Sequence, residues 1–169
     1  MGTAIEKAVM MSDRCSKIAE KYKNARNMYF IGRGQDYALS MEAALKMKEI
    51  SYIHCEAYAA GELKHGTISL IEKGTPVFAF ATEAGVYEKL ISNIREVKSR
   101  GADVVLFVTD SLEVPDGVAD EVIKLPSAPE LFMPLVAVCA AQLVAYHTAV
   151  LLGRDVDKPR NLAKSVTVE

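Results

Sequence analysis

Four short apolar runs constrain the fold of this chain more than any other feature. They cover residues 28–31, 76–81, 104–108 and 121–125, and helical patterns separate them. The runs are mostly continuous rather than alternating, as expected of strands that are buried on both faces of a parallel sheet. The sequence therefore predicts an α/β fold with a doubly wound, mostly parallel, open sheet and helices on both faces, a flavodoxin-like three-layer sandwich.

The apolar periodicity predicts long helices over residues 3–23, 37–51, 84–100 and 130–152, and a short one over 67–71, with a loop-rich stretch from 52 to 66. Residues 131–152 are apolar nearly all round and have the length of a membrane span. Pro134, Gln142, Tyr146 and His147 interrupt them. We therefore expect a helix that is buried within the domain, and no contact with a membrane.

Length and charge narrow the class of protein further. The 169 residues are expected to form one domain, 1–169, with a C-terminal tail from about residue 154. The net charge is −2 and the basic residues form no stripe, which argues against nucleic acid as a partner. The chain does not open on a secretory signal, so we expect a cytoplasmic protein.

The metal-binding residue types are not grouped. The three cysteines are widely spaced among apolar residues, which indicates reduced thiols that serve packing. No His or Cys pair falls at i, i+3 or i+4 with carboxylates nearby. We therefore expect neither a metal site nor a cofactor.

The stretch 46–66, KMKEISYIHCEAYAAGELKHG, concentrates acids, amines and an imidazole. Glu42, Lys46 and Glu49 lie at i, i+4 and i+7 on one face of the predicted helix. Spacing alone favours a surface ion pair between Glu42 and Lys46, worth about 0.2–0.5 kcal/mol. The apolar residues that follow indicate instead a setting in which a carboxylate or amine shifts its pKa. A second, apolar face of the helix is predicted to carry Ala38, Met41, Leu45 and Tyr52.

The turns after the first two strands form the rim of a predicted site. In doubly wound folds, ligands bind beyond the carboxyl ends of the strands, at the switch point in strand order. Gly32-Arg33-Gly34 lacks the rest of a dinucleotide fingerprint, and a tight strand-to-helix turn explains it equally well. Arg33 is the only cation well placed there for a phosphate, although a lone arginine at a turn is usually just solvated.

Three longer stretches are more specific: LSMEAALKMKEISYIHCEAYAAGELKHG, LVAYHTAVLLGRDVDKPRN and LAKSVTVE. In them the chain, from Phe30 onward, resembles the second sugar-isomerase (SIS) domain of the glutamine-fructose-6-phosphate aminotransferase family. In that family, tandem SIS domains convert fructose 6-phosphate into glucosamine 6-phosphate with ammonia from an N-terminal glutaminase domain. The resemblance implies amino-sugar biosynthesis, with the first SIS domain and the glutaminase domain as partners, in a homodimer.

The resemblance also implies residue roles. Lys164, in LAKSVTVE, would open the sugar and hold it as an imine; Glu49, in KEISYIH, would move a proton between C1 and C2. His65, in ELKHG, would assist ring opening and reach the site of a neighbouring subunit. A base, a desolvated amine and a group titrating near neutrality suit this chemistry. The expected substrate-positioning residues are Glu42, Lys46 and Arg33.

Two family features are missing. Cys15 lies inside a predicted helix and cannot serve as the N-terminal nucleophile of a glutaminase. The Ser/Thr-rich phosphate loop of the first SIS copy is replaced by Ala81-Thr82-Glu83-Ala84, whose carboxylate would repel a phosphate. We therefore expect the isolated domain to be inactive or feeble. The alternative is a non-catalytic phosphosugar-binding module that acts as a sensor or regulator, which has no need for Lys164.

Overall fold

A computed structural model describes residues 2–162 of the chain. Its helices and strands are, in chain order, α1 Gly2–Val9, α2 Ser12–Tyr22, β1 Asn27–Gly32, α3 Gln35–Ser51, β2 His54–Ala59, β3 Pro76–Ala81, α4 Tyr87–Lys98, β4 Asp103–Thr109, β5 Glu121–Leu125 and α5 Met133–Leu151. Two short 3-10 turns, Leu63–His65 and Thr67–Leu70, fill the connection from β2 to β3.

The five strands form one parallel sheet in the order β2-β1-β3-β4-β5. The chain moves outward from β1 to β2 and then returns to β3 on the other side of β1. The strand order therefore reverses between β1 and β3, which is the switch point of a doubly wound sheet. The predicted α/β architecture is confirmed.

Two apolar layers hold the helices on the sheet. Helices α2, α3 and α5 cover one face of the sheet. On this face the rings of Phe30 and Phe78, from β1 and β3, stack at a centroid distance of 4.9 Å. Helix α4 covers the other face through Leu90, Ile91 and Ile94. Because β3 and β4 lie in the middle of the sheet, nearly all of their side chains are buried, which explains their continuous apolar runs.

The structure corrects the prediction of a loop over residues 52–66, because β2 occupies His54–Ala59. This strand lies at the edge of the sheet and pairs only with β1. Cys55 is its only buried residue. An edge strand does not need a continuous apolar run, so HCEAYA gave no strand signal of that kind.

The single helix predicted over residues 3–23 is also wrong, because the chain turns after Val9 and a new helix starts at Ser12. The two helices contact α5 separately. Ala8 packs against Val136, whereas the Ser12 hydroxyl lies 2.8 Å from His147 Nε2. A straight helix could not place both contacts on one partner.

The apolar face predicted for α3 is wrong as well. Met41 and Leu45 are 45% and 42% exposed. The face that packs on the sheet includes several small residues, which let the helix approach closely. The buried residues of its central turns are Leu39, Ser40, Ala43, Ala44 and Met47.

Helix α5 confirms the predicted helix in part. It packs against α2 and α3, but Leu135, Tyr146 and Val150 remain about half exposed along one stripe. Within residues 2–162, the segment Glu130–Leu151 alone is long and apolar enough to cross a membrane by length and composition, and 44% of an 18-residue apolar window in it is buried in the fold. A core helix of a soluble domain gives the same pattern.

Candidate active site

The rim at the switch point is closed by a buried carboxylate. Asp36, in the first turn of α3, is fully buried and accepts hydrogen bonds from the backbone N–H (2.7 Å) and the hydroxyl (2.5 Å) of Thr82. Burial raises the pKa of Asp36, and the hydrogen bonds from Thr82 oppose this effect only in part. The pair fixes the start of α3 to the turn after β3.

A second carboxylate occupies the N-terminus of α3. Glu83 Oε2 accepts the Gln35 backbone N–H at 3.1 Å. Gly34 has φ +56°, and a Cβ at this position would lie 2.1 Å from the same oxygen. The N-terminus of a helix is a natural anion site. Here the chain's own carboxylate lies where the phosphate of a ligand would bind.

Arg33, the predicted phosphate contact, turns toward α4. Its Nη1 donates a hydrogen bond of 3.0 Å to Asn93 Oδ1. Gly61 allows the close approach, because a Cβ there would lie 2.8 Å from Nη1. The guanidinium is thus hydrogen-bonded to an amide of the same chain.

The structure brings together the three charged residues predicted on α3. Lys46 Nζ lies 2.6 Å from Glu49 Oε2 and 3.7 Å from Glu42 Oε1. The hydrogen bond with Glu49 raises the pKa of Lys46, burial opposes this, and the charges of Glu42 and Glu49 add to it. Lys46 is therefore a cation at neutral pH. Glu49 faces this ammonium rather than the apolar wall that the sequence suggested.

Glu49 lines a depression at the amino-terminal edge of the sheet, where the strands begin. The depression measures about 340 Å³ and is lined by Lys48, Glu49, Tyr52, Arg160, Asn161 and Leu162. Helices α3 and α5 both run opposite to the strands, so both end at this edge. Glu49, on α3, and the first residues of the C-terminal tail therefore lie next to each other here. A larger depression, of about 520 Å³, lies between α1 and the segment after β5 and contains none of the predicted catalytic residues.

Sequence reasoning missed Tyr52 and Arg160 as site residues. The Arg160 backbone N–H donates to Tyr52 Oη at 2.9 Å, and its guanidinium lies 4.1 Å from the centroid of the Tyr52 ring. These residues are 108 positions apart, and no local pattern links them. The one available signal was the aromatic residue directly after the helix that carries Glu49.

His65 lies at the opposite edge of the sheet from Glu49. It follows the carboxyl end of β2, its side chain is 64% exposed, and its Nε2 is 3.8 Å from Glu62. Glu49 precedes the start of β2, and a strand of this length spans about 15–20 Å. One copy of the chain therefore does not bring His65 to Glu49. Lys164 lies outside the described residues.

The part of the chain from residue 2 to 162 contains no group of three or more His, Cys, Asp or Glu side chains that could hold a metal ion. The cysteines in this range, Cys15, Cys55 and Cys139, are free thiols. Burial raises the pKa of Cys15 to about 11 and that of Cys55 to about 12. Neither of these two is a nucleophile at neutral pH.

Comparison with known proteins finds the SIS domain pattern over residues 21–152. Two relatives, both glutamine-fructose-6-phosphate aminotransferases (isomerizing), are 54% identical over 153 residues in Caldanaerobacter subterraneus subsp. tengcongensis and 49% identical over 164 residues in Clostridium acetobutylicum. The matches cover 90% and 97% of this chain but only 25% and 27% of the relatives. The chain thus spans about a quarter of the length of these enzymes.

A solved structure gives the same result in three dimensions. The C-terminal domain of glucosamine-fructose-6-phosphate aminotransferase from Francisella tularensis superposes with a TM-score of 0.88 at 35% identity. The superposition covers 92% of this chain and 44% of that one. The described sheet and helices therefore correspond to a little less than half of that domain.

Proposed function

Since the chain belongs to the SIS domain family, we propose that it forms the second half of an isomerase that converts fructose 6-phosphate and ammonia into glucosamine 6-phosphate in amino-sugar biosynthesis. One observation carries the proposal: Glu49, which is paired with Lys46, lines the same depression as Arg160 and Asn161, the residues that lead to Lys164. The likeness to isomerizing aminotransferases supports the substrate class.

Glu49 is the proposed acid–base group. Ammonia first replaces Lys164 on the C2 imine, and the lysine amine leaves. The Glu49 carboxylate then takes a proton from C1 and delivers one to C2, while the O1 hydroxyl loses a proton and the imine nitrogen gains one, which gives the aldehyde at C1 and the amine on C2. Lys46 holds the carboxylate from one side at 2.6 Å, so the other oxygen is available to the substrate. Glu42 adds negative charge that keeps Lys46 protonated.

The imine requires an uncharged amine, and Lys164 is the proposed one. From Asn161, three residues of extended chain reach about 10 Å. Since Asn161 and Glu49 line the same depression, the amine of Lys164 is within reach of a sugar that contacts Glu49. A docked tail excludes water and lowers the pKa of a lysine, which favours the nucleophilic form.

His65 is proposed to act in the site of a second copy of the chain. The length of β2 separates it from Glu49 by about 15–20 Å within one copy, and its imidazole is exposed. A homodimer in which this histidine reaches the partner's depression resolves the separation. Ring opening at neutral pH is a suitable task for an imidazole.

The phosphate of the sugar is proposed to bind outside this domain. Glu83 occupies the N-terminus of α3, and Arg33 is bonded to Asn93. A preceding SIS domain would supply the phosphate site and a glutaminase domain the ammonia, in a cytoplasmic enzyme. We therefore expect the 169-residue chain alone to be inactive. The same closed rim argues against the sensor alternative, which requires this domain to bind a phosphosugar by itself.

The test uses the full-length enzyme that contains this chain. Glu49→Gln should lower the rate of isomerisation by about 10²–10⁴-fold, the usual contribution of general acid–base catalysis, while glutamine hydrolysis continues. Borohydride with fructose 6-phosphate should still trap an adduct on Lys164, because imine formation precedes the proton transfer. Glu88→Gln, on the exposed face of α4, is the matched control. Normal isomerisation by Glu49→Gln, or no wild-type adduct on Lys164, would refute the proposal.

A further inference from the structure

Two residues with unfavourable backbone geometry meet in the depression beside Glu49. Among residues 2–162, the only non-glycine residues with positive φ are Tyr52, at +66°, and Asn161, at +61°. Both line this depression. Asparagine tolerates the left-handed region, whereas tyrosine is strained there. Such strain collects at functional sites.

The tyrosine side chain at position 52 is not needed to end α3. Its backbone caps the helix in the left-handed conformation, with its N–H donating to the Lys48 carbonyl. Glycine or asparagine adopts this conformation more readily. The tyrosine ring is only half-buried and lies outside the two large apolar clusters. Neither capping nor core packing explains the aromatic side chain.

The ring of Tyr52 contacts both ends of one tail segment. The guanidinium of Arg154 lies 5.3 Å from the ring centroid and that of Arg160 lies 4.1 Å from it. The Arg160 backbone N–H donates to Tyr52 Oη at 2.9 Å. Between these ends, Asp155 Oδ1 accepts the backbone N–H groups of Asp157 and Lys158 at 3.0 and 3.1 Å. Residues 154–160 thus form a compact turn that is fastened at both ends to one ring.

We infer that Tyr52, three positions after Glu49, is a positioning residue. It fastens residues 154–160 at the start of the tail and so determines where Lys164 can reach. The inference rests on the proposed function in one respect, namely that Lys164 is the imine-forming amine. Tyr52 touches no reacting atom in this scheme. It acts through the direction in which the chain leaves Arg160.

The fastening can be measured without any chemistry on sugar. Tyr52→Asn removes the ring and suits the left-handed backbone, and it leaves every trypsin site of the tail intact. Two exposed cation–π contacts and one hydrogen bond change the ratio of docked to free tail by about 10- to 100-fold. We expect trypsin to remove the segment after Arg160 faster by a similar factor in the 169-residue chain. Tyr52→Phe, which keeps the ring, should show only a small part of this effect.

The melting temperature of Tyr52→Asn shows whether the variant changes the position of the tail or the folding of the domain. Asparagine relieves the backbone strain at position 52, which offsets most of the lost tail contacts, so the melting temperature of Tyr52→Asn should lie within about 5 °C of the wild-type value. Tyr146→Asn, at an exposed position on α5, is the control and should leave tail cleavage unchanged. Cleavage of Tyr52→Asn at the wild-type rate would overturn the inference.

The catalytic consequence is tested in the full-length enzyme. Tyr52→Asn should lower kcat and the rate of borohydride trapping on Lys164 with little change in KM, and Tyr52→Phe should restore most of both. Unchanged kcat and trapping in Tyr52→Asn would overturn the positioning role. If the tail is released in Tyr52→Asn but wild-type enzyme gives no adduct on Lys164, the proposed function fails and the catalytic part of the inference fails with it, whereas the fastening stands.

Discussion

Replacing Asp36 by alanine should destabilise the domain more than any exposed carboxylate does. Asp36 is fully buried at the first turn of α3, and its two oxygens accept the backbone N–H and the hydroxyl of Thr82. Without the carboxylate, the Thr82 N–H has no acceptor in a place that water does not reach. The link between α3 and the end of β3 is lost with it.

The magnitude follows from these two contacts. Hydrogen bonds to a charged acceptor contribute about 1.5–3 kcal/mol each. Burial disfavours the charged form, as the raised pKa of Asp36 shows, so desolvation offsets part of the sum. We expect a net loss of about 2–4 kcal/mol in the free energy of unfolding. For a chain of this size, that lowers Tm by about 4–16 °C.

The pH dependence gives an independent sign. The folded pKa of Asp36 lies above its ordinary value of 3.8, so the folded state holds this proton more tightly than the unfolded state. The contribution of this proton to stability is therefore complete below 3.8 and is lost as pH rises through the folded pKa. The side-chain amide of the variant Asp36→Asn does not titrate. The stability of Asp36→Asn relative to wild type should thus increase as pH rises over this interval.

Urea unfolding of the 169-residue chain, followed by circular dichroism from about pH 4 to about pH 7, measures both effects. Asp116→Ala, in the exposed loop between β4 and β5, is the control and should change the free energy of unfolding by less than about 0.5 kcal/mol. A loss of stability in Asp36→Ala no larger than in this control would contradict the structural role of the Asp36–Thr82 hydrogen bonds. A loss of stability of Asp36→Asn relative to wild type as pH rises would contradict the raised pKa of Asp36.

Two further predictions concern the turn between β1 and α3. Glu83→Gln keeps an oxygen for the Gln35 N–H but removes the charge at the N-terminus of α3, so it should cost about 0.3–1 kcal/mol by urea unfolding, and a loss above about 2 kcal/mol would contradict this. Gly32→Ala places a Cβ 2.2 Å from the Asp36 carbonyl oxygen. Because the backbone of Asp36 cannot move away without distorting α3, Gly32→Ala should lower the free energy of unfolding by about 3 kcal/mol or more. A wild-type Tm would contradict this prediction.

The sequence predicted the strands that are buried on both faces. Pro76–Ala81 and Asp103–Thr109 lie in the middle of the sheet, and their apolar runs follow from that position. It did not predict β2, because an edge strand with one buried residue carries no such run. The break after Val9 was missed for a related reason: it depends on which part of α5 each helix meets, and spacing within α1 and α2 does not encode that.

The candidate site was predictable where its residues share one helix. Glu42, Lys46 and Glu49 are three and four positions apart, so helical geometry alone places them together. The role of Tyr52 was hidden, since its partners Arg154 and Arg160 arrive from beyond α5. The separation of His65 from Glu49 was hidden too, because it follows from the undetected strand between them.

Three carboxylates on or near α3 have different kinds of partner at the two edges of the sheet. Asp36 and Glu83 accept N–H groups at the switch point, and Glu83 occupies the N-terminus of α3. Glu49, at the other end of the helix, meets the Lys46 ammonium and an open depression. The N-terminus of α3 is thus occupied by a carboxylate of the chain itself, whereas Glu49 and the first residues of the C-terminal tail line an open depression at the opposite edge. Under the proposed function, such a domain needs a second SIS domain to hold the phosphate, which is the physical reason to expect that neither half works alone.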